Sequence, residues 1–195
     1  MDLRAWRRRL REYDEITNVG PIIRRYFVIG AFDGALTVLG IIIGASAFGT
    51  LEEHKALVLS ASFGAAIALA VSSAVGAYEA ERVEKKLDIR TIERAMLARL
   101  SEEHREAFQF AAILSALVHG IAPLIAGLLP IIPFVFLEAR TATVVAVAIT
   151  LVILFLLGVY LGNLVRERVL VTGLRFAAAG IGTAAILWLL GARPV

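Results

Sequence analysis

The sequence predicts an all-α integral membrane protein with five transmembrane helices and a short cytoplasmic helical insertion between helices 2 and 3. Hydrophobic residues make up 59% of the 195 residues, and the mean hydropathy is +0.80. Charged residues make up 19% and are grouped between long apolar runs, whereas a soluble domain carries about a quarter. Several runs reach the roughly 20 residues that a helix needs to cross the hydrocarbon.

Five apolar runs are long enough to span a bilayer: 26–48, 56–78, 107–137, 141–163 and 169–191. They form two blocks, 26–78 with the first two helices and 107–191 with the last three. The third run is longer than a span requires and contains Pro123, Pro130 and Pro133. We therefore expect a helix to about residue 128, followed by a kink or an unwound stretch.

The distribution of basic residues predicts the orientation. Seventeen of the 20 Lys and Arg residues lie on one side, in a basic arm at 1–25, the insertion at 79–106 and the segment 166–175. Because positive charge is retained in the cytoplasm, the N-terminus and the insertion are predicted to be cytoplasmic. The C-terminal tail, 192–195, is predicted to lie outside, and the expected location is a prokaryotic plasma membrane.

The sequence contains none of the motifs that are typical of several functional classes. The chain has no cysteine, which excludes thiol catalysis and Cys-ligated metal, and it contains no P-loop, H-E-x-x-H or G-x-S-x-G motif. We therefore expect no enzyme activity and no tightly bound cofactor. The pI near 9.6 is attributed to topology rather than to nucleic acid. The arm at 4–11 is predicted to be part of the mature protein rather than a signal peptide. Its arginines are expected to bind an anionic membrane surface.

The first span, which contains IGAFDGALTVLGIIIGA, carries one carboxylate among small and apolar residues. On a helical wheel, one narrow stripe holds Gly30, Asp33, Thr37, Gly40 and Gly44. An intramembrane carboxylate costs a few kcal/mol and is a functional-site hypothesis by default. A bound divalent cation would offset that cost. The alternative is that Asp33 is protonated, or hydrogen-bonds a neighbouring helix to fix packing.

The second and third spans repeat this design. A second-span face holds Ala61, Ala65, Ala68, Ser72, Gly76 and Glu79, and a third-span face holds Ala112, Ser115, His119, Pro123 and Ala126. Small residues allow close helix packing, so polar groups among them are expected to point into protein. We expect the Asp33 and Glu79 stripes to pack together. Glu79 lies near the membrane interface, where a carboxylate has a low free-energy cost even without a bound ion. His119 could be a metal ligand, a proton-coupling group or a packing residue.

The insertion at 79–106 is predicted to form two or three short helical pieces, with Asp88 and Ser101 as N-caps. Its acids form two groups: Glu81, Glu84 and Asp88, and then Glu102, Glu103 and Glu106. Carboxylates one turn apart can jointly hold a metal ion. They can equally form a solvated face, because acids favour the first turn of a helix and pair with cations four residues away.

These segments together resemble the vacuolar iron transporter family over residues 25–191. The matching segments are FDGALTVLGIIIGA, VSSAVGAYEAE, GLLPIIPFVF and GLRFAAAGIGTAAILWLLG. The resemblance implies five spans, a cytoplasmic N-terminus, a homodimer, and export of Fe²⁺ or Mn²⁺ in exchange for protons. It also implies that the insertion binds metal through glutamates and a methionine.

Residue by residue, the resemblance assigns the family's first-span aspartate to Asp33. The second span departs, because the family's methionine falls on Ser73 and its glutamate on Ala77, with Glu79 two residues further on. The expected function is divalent metal export by proton antiport, and the alternative is a non-transporting membrane scaffold or regulator. The candidate metal ligands are Asp33, Glu79, Glu81, Glu84, Glu102, Glu103 and Glu106, and the secondary path candidates are Thr37, Ser72, Ser73 and His119. The expected partners are the bilayer, divalent metal ions, protons and a second copy of the chain, without nucleic acid.

Overall fold

The computed structural model describes residues 12–46 and 51–190, and of residues 51 and 52 it describes the backbone only. The helices are α1 (Val19–Ala45), α2 (Leu51–Met96), α3 (Glu102–Leu128), α4 (Pro133–Phe136), α5 (Ala139–Leu164) and α6 (Val169–Leu189). Residues 12–17 are also helical, and the described ranges contain no strand. Five segments are long and apolar enough to cross a membrane. The predicted all-α class with five spans is therefore confirmed.

The first span begins earlier than predicted. α1 starts at Val19 rather than at residue 26, directly after Asn18, whose left-handed φ of 45° separates it from the helical stretch 12–17. Arg24 and Arg25 therefore belong to the first helix instead of ending the basic arm. The rest of that arm, including 4–11, and the tail at 192–195 lie outside the described residues.

The second helix differs most from the prediction. α2 runs without a break for 46 residues, about 69 Å at 1.5 Å per residue, while the hydrocarbon is about 30 Å thick. The insertion contains two helical stretches that continue out of the spans, 79–96 and 102–106, as predicted. The predicted N-cap at Asp88 is wrong, because Asp88 lies inside α2 and pairs with Lys85 at 3.4 Å. The cause is local: residues 77–100 contain no Gly or Pro, and Ala, Glu, Lys, Arg and Leu propagate a helix well.

A tight turn then reverses the chain. Leu97 adopts a left-handed φ of 53°, and α3 begins after Ser101, which has the extended backbone of an N-cap as predicted. The Ser101 hydroxyl contacts His104 Nδ1 at 2.8 Å. Glu93 fixes the turn, since its Oε1 accepts hydrogen bonds from the Leu100 backbone N–H at 3.0 Å and from Arg105 Nη2 at 2.7 Å.

This turn is expected to open in acid. The Leu100 N–H and the Arg105 guanidinium hold the pKa of Glu93, in the insertion outside the spans, below its ordinary 4.5. A carboxylate whose pKa is lower in the folded state than in the unfolded state stabilises the fold at pH values above its unfolded-state pKa. This stabilisation is lost as the pH falls through the folded-state pKa. Hydrogen exchange of residues 97–101, corrected for intrinsic rates, should therefore accelerate below about pH 4.5. Glu93→Gln should raise the exchange rate at neutral pH and flatten its dependence on pH. Glu103→Gln, at an exposed position, should leave both unchanged. If Glu93→Gln did not alter the pH dependence of exchange, Glu93 would not be the group that fixes the turn.

The third span ends as its prolines predict. α3 ends at Leu128, a 3-10 turn covers Leu129–Ile131, and α4 starts at Pro133. The predicted small face of α3 is the packed one, because Ala112, Ser115, Pro123 and Ala126 are buried and His119 is half-buried. α3 packs directly against α1: a Cβ added to Gly34 would lie 2.3 Å from the Pro123 carbonyl oxygen.

Candidate functional site

Asp33 lies on the outer face of α1 in a single chain. Its side chain is exposed, while Ala31, Gly34 and Ala35 on the opposite face are buried. The prediction that this carboxylate points into protein is therefore wrong for the isolated chain. The reason is that α1 uses its other face, centred on Ala35 and Val38, for contacts with the rest of the bundle. No hydrogen bond or ion pair links Asp33 to any residue that the structure describes.

Two glycines further along the Asp33 stripe, Gly40 and Gly44, have open space beside them. Among the described residues, a Cβ on Gly44 would have no atom within 4 Å, and a Cβ on Gly40 would meet only Leu187 Cδ1 at 3.9 Å. Thr37, between them and Asp33, is half-buried. The second-span stripe is also turned outward, since Ser72, Gly76 and Glu79 are exposed. Both small stripes are thus free to approach another surface closely.

The three secondary candidates other than Thr37 come together in one recess. Its volume is about 300 Å³, and its lining comes from α1, α2 and α3: Tyr26, Ser72, Ser73, Gly76, Ala77, Ala80 and His119. Tyr26 belongs to the same face of α1 as Asp33, because the two residues are seven positions, or two turns, apart. The recess therefore lies about 10 Å along α1 from the Asp33 Cα, towards the end that carries the α2–α3 turn.

His119 is held in one orientation in this recess. Its Nδ1 lies 2.9 Å from the Tyr26 carbonyl oxygen, and its ring packs on the Tyr26 ring with centroids 4.9 Å apart. A carbonyl oxygen only accepts, so Nδ1 carries the proton and neutral His119 keeps the lone pair on Nε2. A histidine that binds a metal commonly donates its other N–H in this way. The geometry fits a packing role as well, since the ring fills the space between α1 and α3.

Glu81 is buried one helical turn from the recess, in contact with Arg25 of α1, and sequence reasoning missed this position. Only 5% of Glu81 is exposed, and its Oε1 lies 3.3 Å from Arg25 Nη2. Glu81 follows Ala77, which lines the recess, by four residues and so lies on the same helix face. Its partner Arg25 is 56 residues away in the chain, so helical periodicity alone does not indicate this contact.

The other predicted carboxylates are dispersed. Glu79 is bound by Arg82, whose Nε lies 3.0 Å from Glu79 Oε2, and Glu106 accepts a hydrogen bond from the Tyr13 hydroxyl at 2.8 Å. The remaining three are exposed, namely Glu84, Glu102 and Glu103. Within residues 12–46 and 51–190, no three His, Asp or Glu side chains group closely enough to hold a metal ion. A single chain thus presents separate carboxylates rather than an assembled centre.

Comparison with known proteins identifies the family. The profile of the VIT family matches residues 24–113 and 89–192. The uncharacterized protein MJ0645 of Methanocaldococcus jannaschii is 31% identical over 170 residues, which are 85% of this chain and 87% of that protein. The matched segments cover the first span from residue 24 onward and the other four spans, and they include Asp33 and the recess beside His119. The chain therefore belongs to the VIT family, whose members are membrane metal-ion transporters.

Proposed function

We propose that this protein exports a divalent metal, Fe²⁺ or Mn²⁺, from the cytoplasm in exchange for protons, with Asp33 as the intramembrane ligand. The observation that carries the proposal is the exposed Asp33 carboxylate, which has no partner among the described residues although it lies on an apolar span. Such a carboxylate costs a few kcal/mol in lipid. A divalent cation or a proton removes that cost, and because metal binds the deprotonated form, the two alternate at this group.

The proposed working unit is a homodimer in which two copies face each other through the Asp33 stripe. A two-fold interface brings the same patch of both chains together, so two Asp33 carboxylates approach one another and supply two negative charges for one divalent ion. The open space at Gly40 and Gly44 supports this packing. The absence of a three-ligand group within the described part of one chain also favours a site completed by a second copy.

The recess beside His119 supplies the route to this site from the cytoplasmic end. Hydroxyl oxygens of Ser72 and Ser73 and the Nε2 lone pair of His119 are weak ligands along it, suited to passing an ion rather than retaining it. Glu81 provides a carboxylate one turn from Ala77, while Arg25 keeps that carboxylate occupied until a cation competes. The acids of the insertion, Glu84, Glu102, Glu103 and Glu106, would collect metal from the cytoplasm.

The direct test is metal flux in proteoliposomes. Full-length protein is reconstituted with a fluorescent metal indicator inside, and Mn²⁺ or Fe²⁺ is added with and without an imposed pH gradient. We expect metal uptake that requires protein, accelerates with the gradient and is accompanied by proton movement in the opposite direction. Metal flux that is indifferent to the pH gradient would contradict antiport, and no flux of either metal would contradict transport.

The interface predicts a selective effect at Gly44. Because a Cβ there meets nothing within 4 Å in a single chain, Gly44→Leu should leave the monomer folded but obstruct a second copy. Overpacking costs about 1–3 kcal/mol, which we expect to shift the detergent-solubilised protein from dimer to monomer in sedimentation velocity. Ala148→Leu, a matched change at an exposed position of α5, should leave the dimer intact. An unchanged dimer in Gly44→Leu would place the interface elsewhere.

The alternative function, a scaffold or regulator without transport, is favoured by the second-span departures at Ser73 and Ala77, where the resemblance places a methionine and a glutamate. Under this alternative, Asp33 is a packing residue and the protein binds no divalent ion. Calorimetric titration with Fe²⁺, Mn²⁺, Zn²⁺ and Ca²⁺ distinguishes the two. Saturable binding that is lost in an Asp33 variant supports transport, while no binding of any of the four ions supports the scaffold.

A further inference from the structure

A second cavity, separate from the recess beside His119, lies in a groove between α2 and α3 at the level where both helices leave the apolar spans. Its volume is about 400 Å³. One end is lined by Tyr78, Phe108 and Ala112, and the other by Arg82, Lys85, Lys86, Arg105 and Glu102. The cavity thus combines an apolar end with a polar end along the axis of the helices.

The polar end carries four cations and one carboxylate. Three of these cations have carboxylate partners outside the lining, since Arg82 pairs with Glu79, Lys85 with Asp88 and Arg105 with Glu93. Lys86 is exposed and forms no ion pair with any described residue. Lys85 has a side chain that is only 15% exposed, and its ammonium lies 5.7 Å from the centroid of the Phe108 ring. The groove therefore holds donors that a negatively charged group can use.

The ion pairs already present do not close the site. Arg82 pairs with Glu79, and both side chains are about half exposed; pairs of this kind contribute little to stability. A guanidinium has five N–H donors in a planar fork, and Glu79 accepts from two of its nitrogens. An anion with several acceptor oxygens can therefore bind Arg82 and Lys86 without first breaking a strong interaction.

The position of the groove distinguishes between possible anions. The predicted second and third spans end at residues 78 and 107, so Tyr78 and Phe108 mark the edge of the hydrocarbon, and the cations lie at headgroup height. A free phosphate would use the polar end alone. A phospholipid would place its phosphate among the cations and its glycerol and first acyl carbons against Phe108 and Ala112. Basic pockets between membrane helices on the cytoplasmic side bind anionic lipid headgroups.

We infer that this groove binds an anionic phospholipid of the cytoplasmic leaflet, with the lipid phosphate held by Arg82 and Lys86 and the adjoining chain packed on Phe108. The lipid would fasten the long outer part of α2 to the start of α3 at the membrane surface. The inference depends on the groove and its charges, and it stands whether or not Asp33 transports metal.

The test is lipid binding measured by native mass spectrometry on delipidated full-length protein, titrated with phosphatidylglycerol or phosphatidylcholine. We expect a marked preference for phosphatidylglycerol. The double variant Arg82→Gln/Lys86→Gln should weaken that binding roughly thirtyfold, about fivefold per cation. The matched control is Arg90→Gln/Arg94→Gln, which removes the same charge from the same helix outside the groove and should change binding less than threefold.

Further arms separate the sources of phosphate. Inorganic phosphate and glycerol phosphate, added at concentrations that keep ionic strength constant, should compete weakly or not at all with phosphatidylglycerol. The inference is overturned if the groove and control variants weaken binding equally, if phosphatidylcholine binds as well, or if free phosphate displaces the lipid efficiently. Circular dichroism of each variant verifies that the helices are retained. If the double variant loses helix, the single variant Lys86→Gln is compared with Arg90→Gln, because Lys86 is exposed and has no ion pair with a described residue.

Discussion

Asp33→Asn is expected to reduce pH-driven metal flux in proteoliposomes to the level of protein-free vesicles. The substitution keeps the size of the side chain but removes the charge that binds a divalent ion and the proton that is exchanged for it. Because Asp33 is exposed in a single chain and contacts no described residue through a hydrogen bond or ion pair, the fold should be unaffected. Metal binding by calorimetry should be lost in parallel.

Two matched variants sharpen this expectation. Asp33→Glu retains the charge and should keep measurable flux at a lower rate, since the carboxylate is displaced by one methylene. Asp88→Asn removes a carboxylate from the insertion, where Asp88 pairs only with Lys85 at 3.4 Å, and should transport normally. Flux in Asp33→Asn that equals that of the unmodified protein would remove Asp33 from the mechanism and leave the scaffold as the better account.

The parts of the fold that depend on local chemistry were predicted well. Hydropathy identified five spans, and the backbone restrictions of Pro130 and Pro133 indicated where the third helix ends at Leu128. The unbroken course of α2 to Met96 was not predicted, because Asp88 was taken as an N-cap within it. Charge does not stop a helix when Gly and Pro are absent, and the pairs Glu79–Arg82 and Lys85–Asp88 instead support its continuation.

The surroundings of Asp33 could not be predicted in the same way. A helical wheel shows which residues share a face, but not whether that face meets the same chain, a second chain or lipid. Glycines occur on both sides of α1: Gly34 contacts Pro123, whereas Gly44 faces open space. The sequence alone does not distinguish the packed glycine from the glycine beside open space. The Glu81–Arg25 contact was missed for a similar reason, since it joins two helices whose register only tertiary packing determines.

Gly34→Ala is expected to destabilise the protein strongly, by about 3 kcal/mol or more. In a helix, this change alone would stabilise by up to about 1 kcal/mol. Here the new Cβ would lie 2.3 Å from the Pro123 carbonyl oxygen and 2.6 Å from its Cα. These are backbone atoms of α3, so relief requires α1 and α3 to separate along their packed length. The midpoint of thermal unfolding in detergent, followed by circular dichroism, should fall well below that of the unmodified protein.

Gly182→Ala is the matched control, because a Cβ there would meet no atom within 4 Å, and its unfolding midpoint should stay level or rise. The comparison also tests the site. Asp33 and Gly34 are consecutive, so their side-chain directions differ by about 100° around α1, and the contact of Gly34 with Pro123 turns Asp33 aside from that contact. Equal unfolding midpoints for the two variants would mean that α1 is rotated differently about its axis. Asp33 would then not face outward, and the proposed metal site between two chains requires that it does.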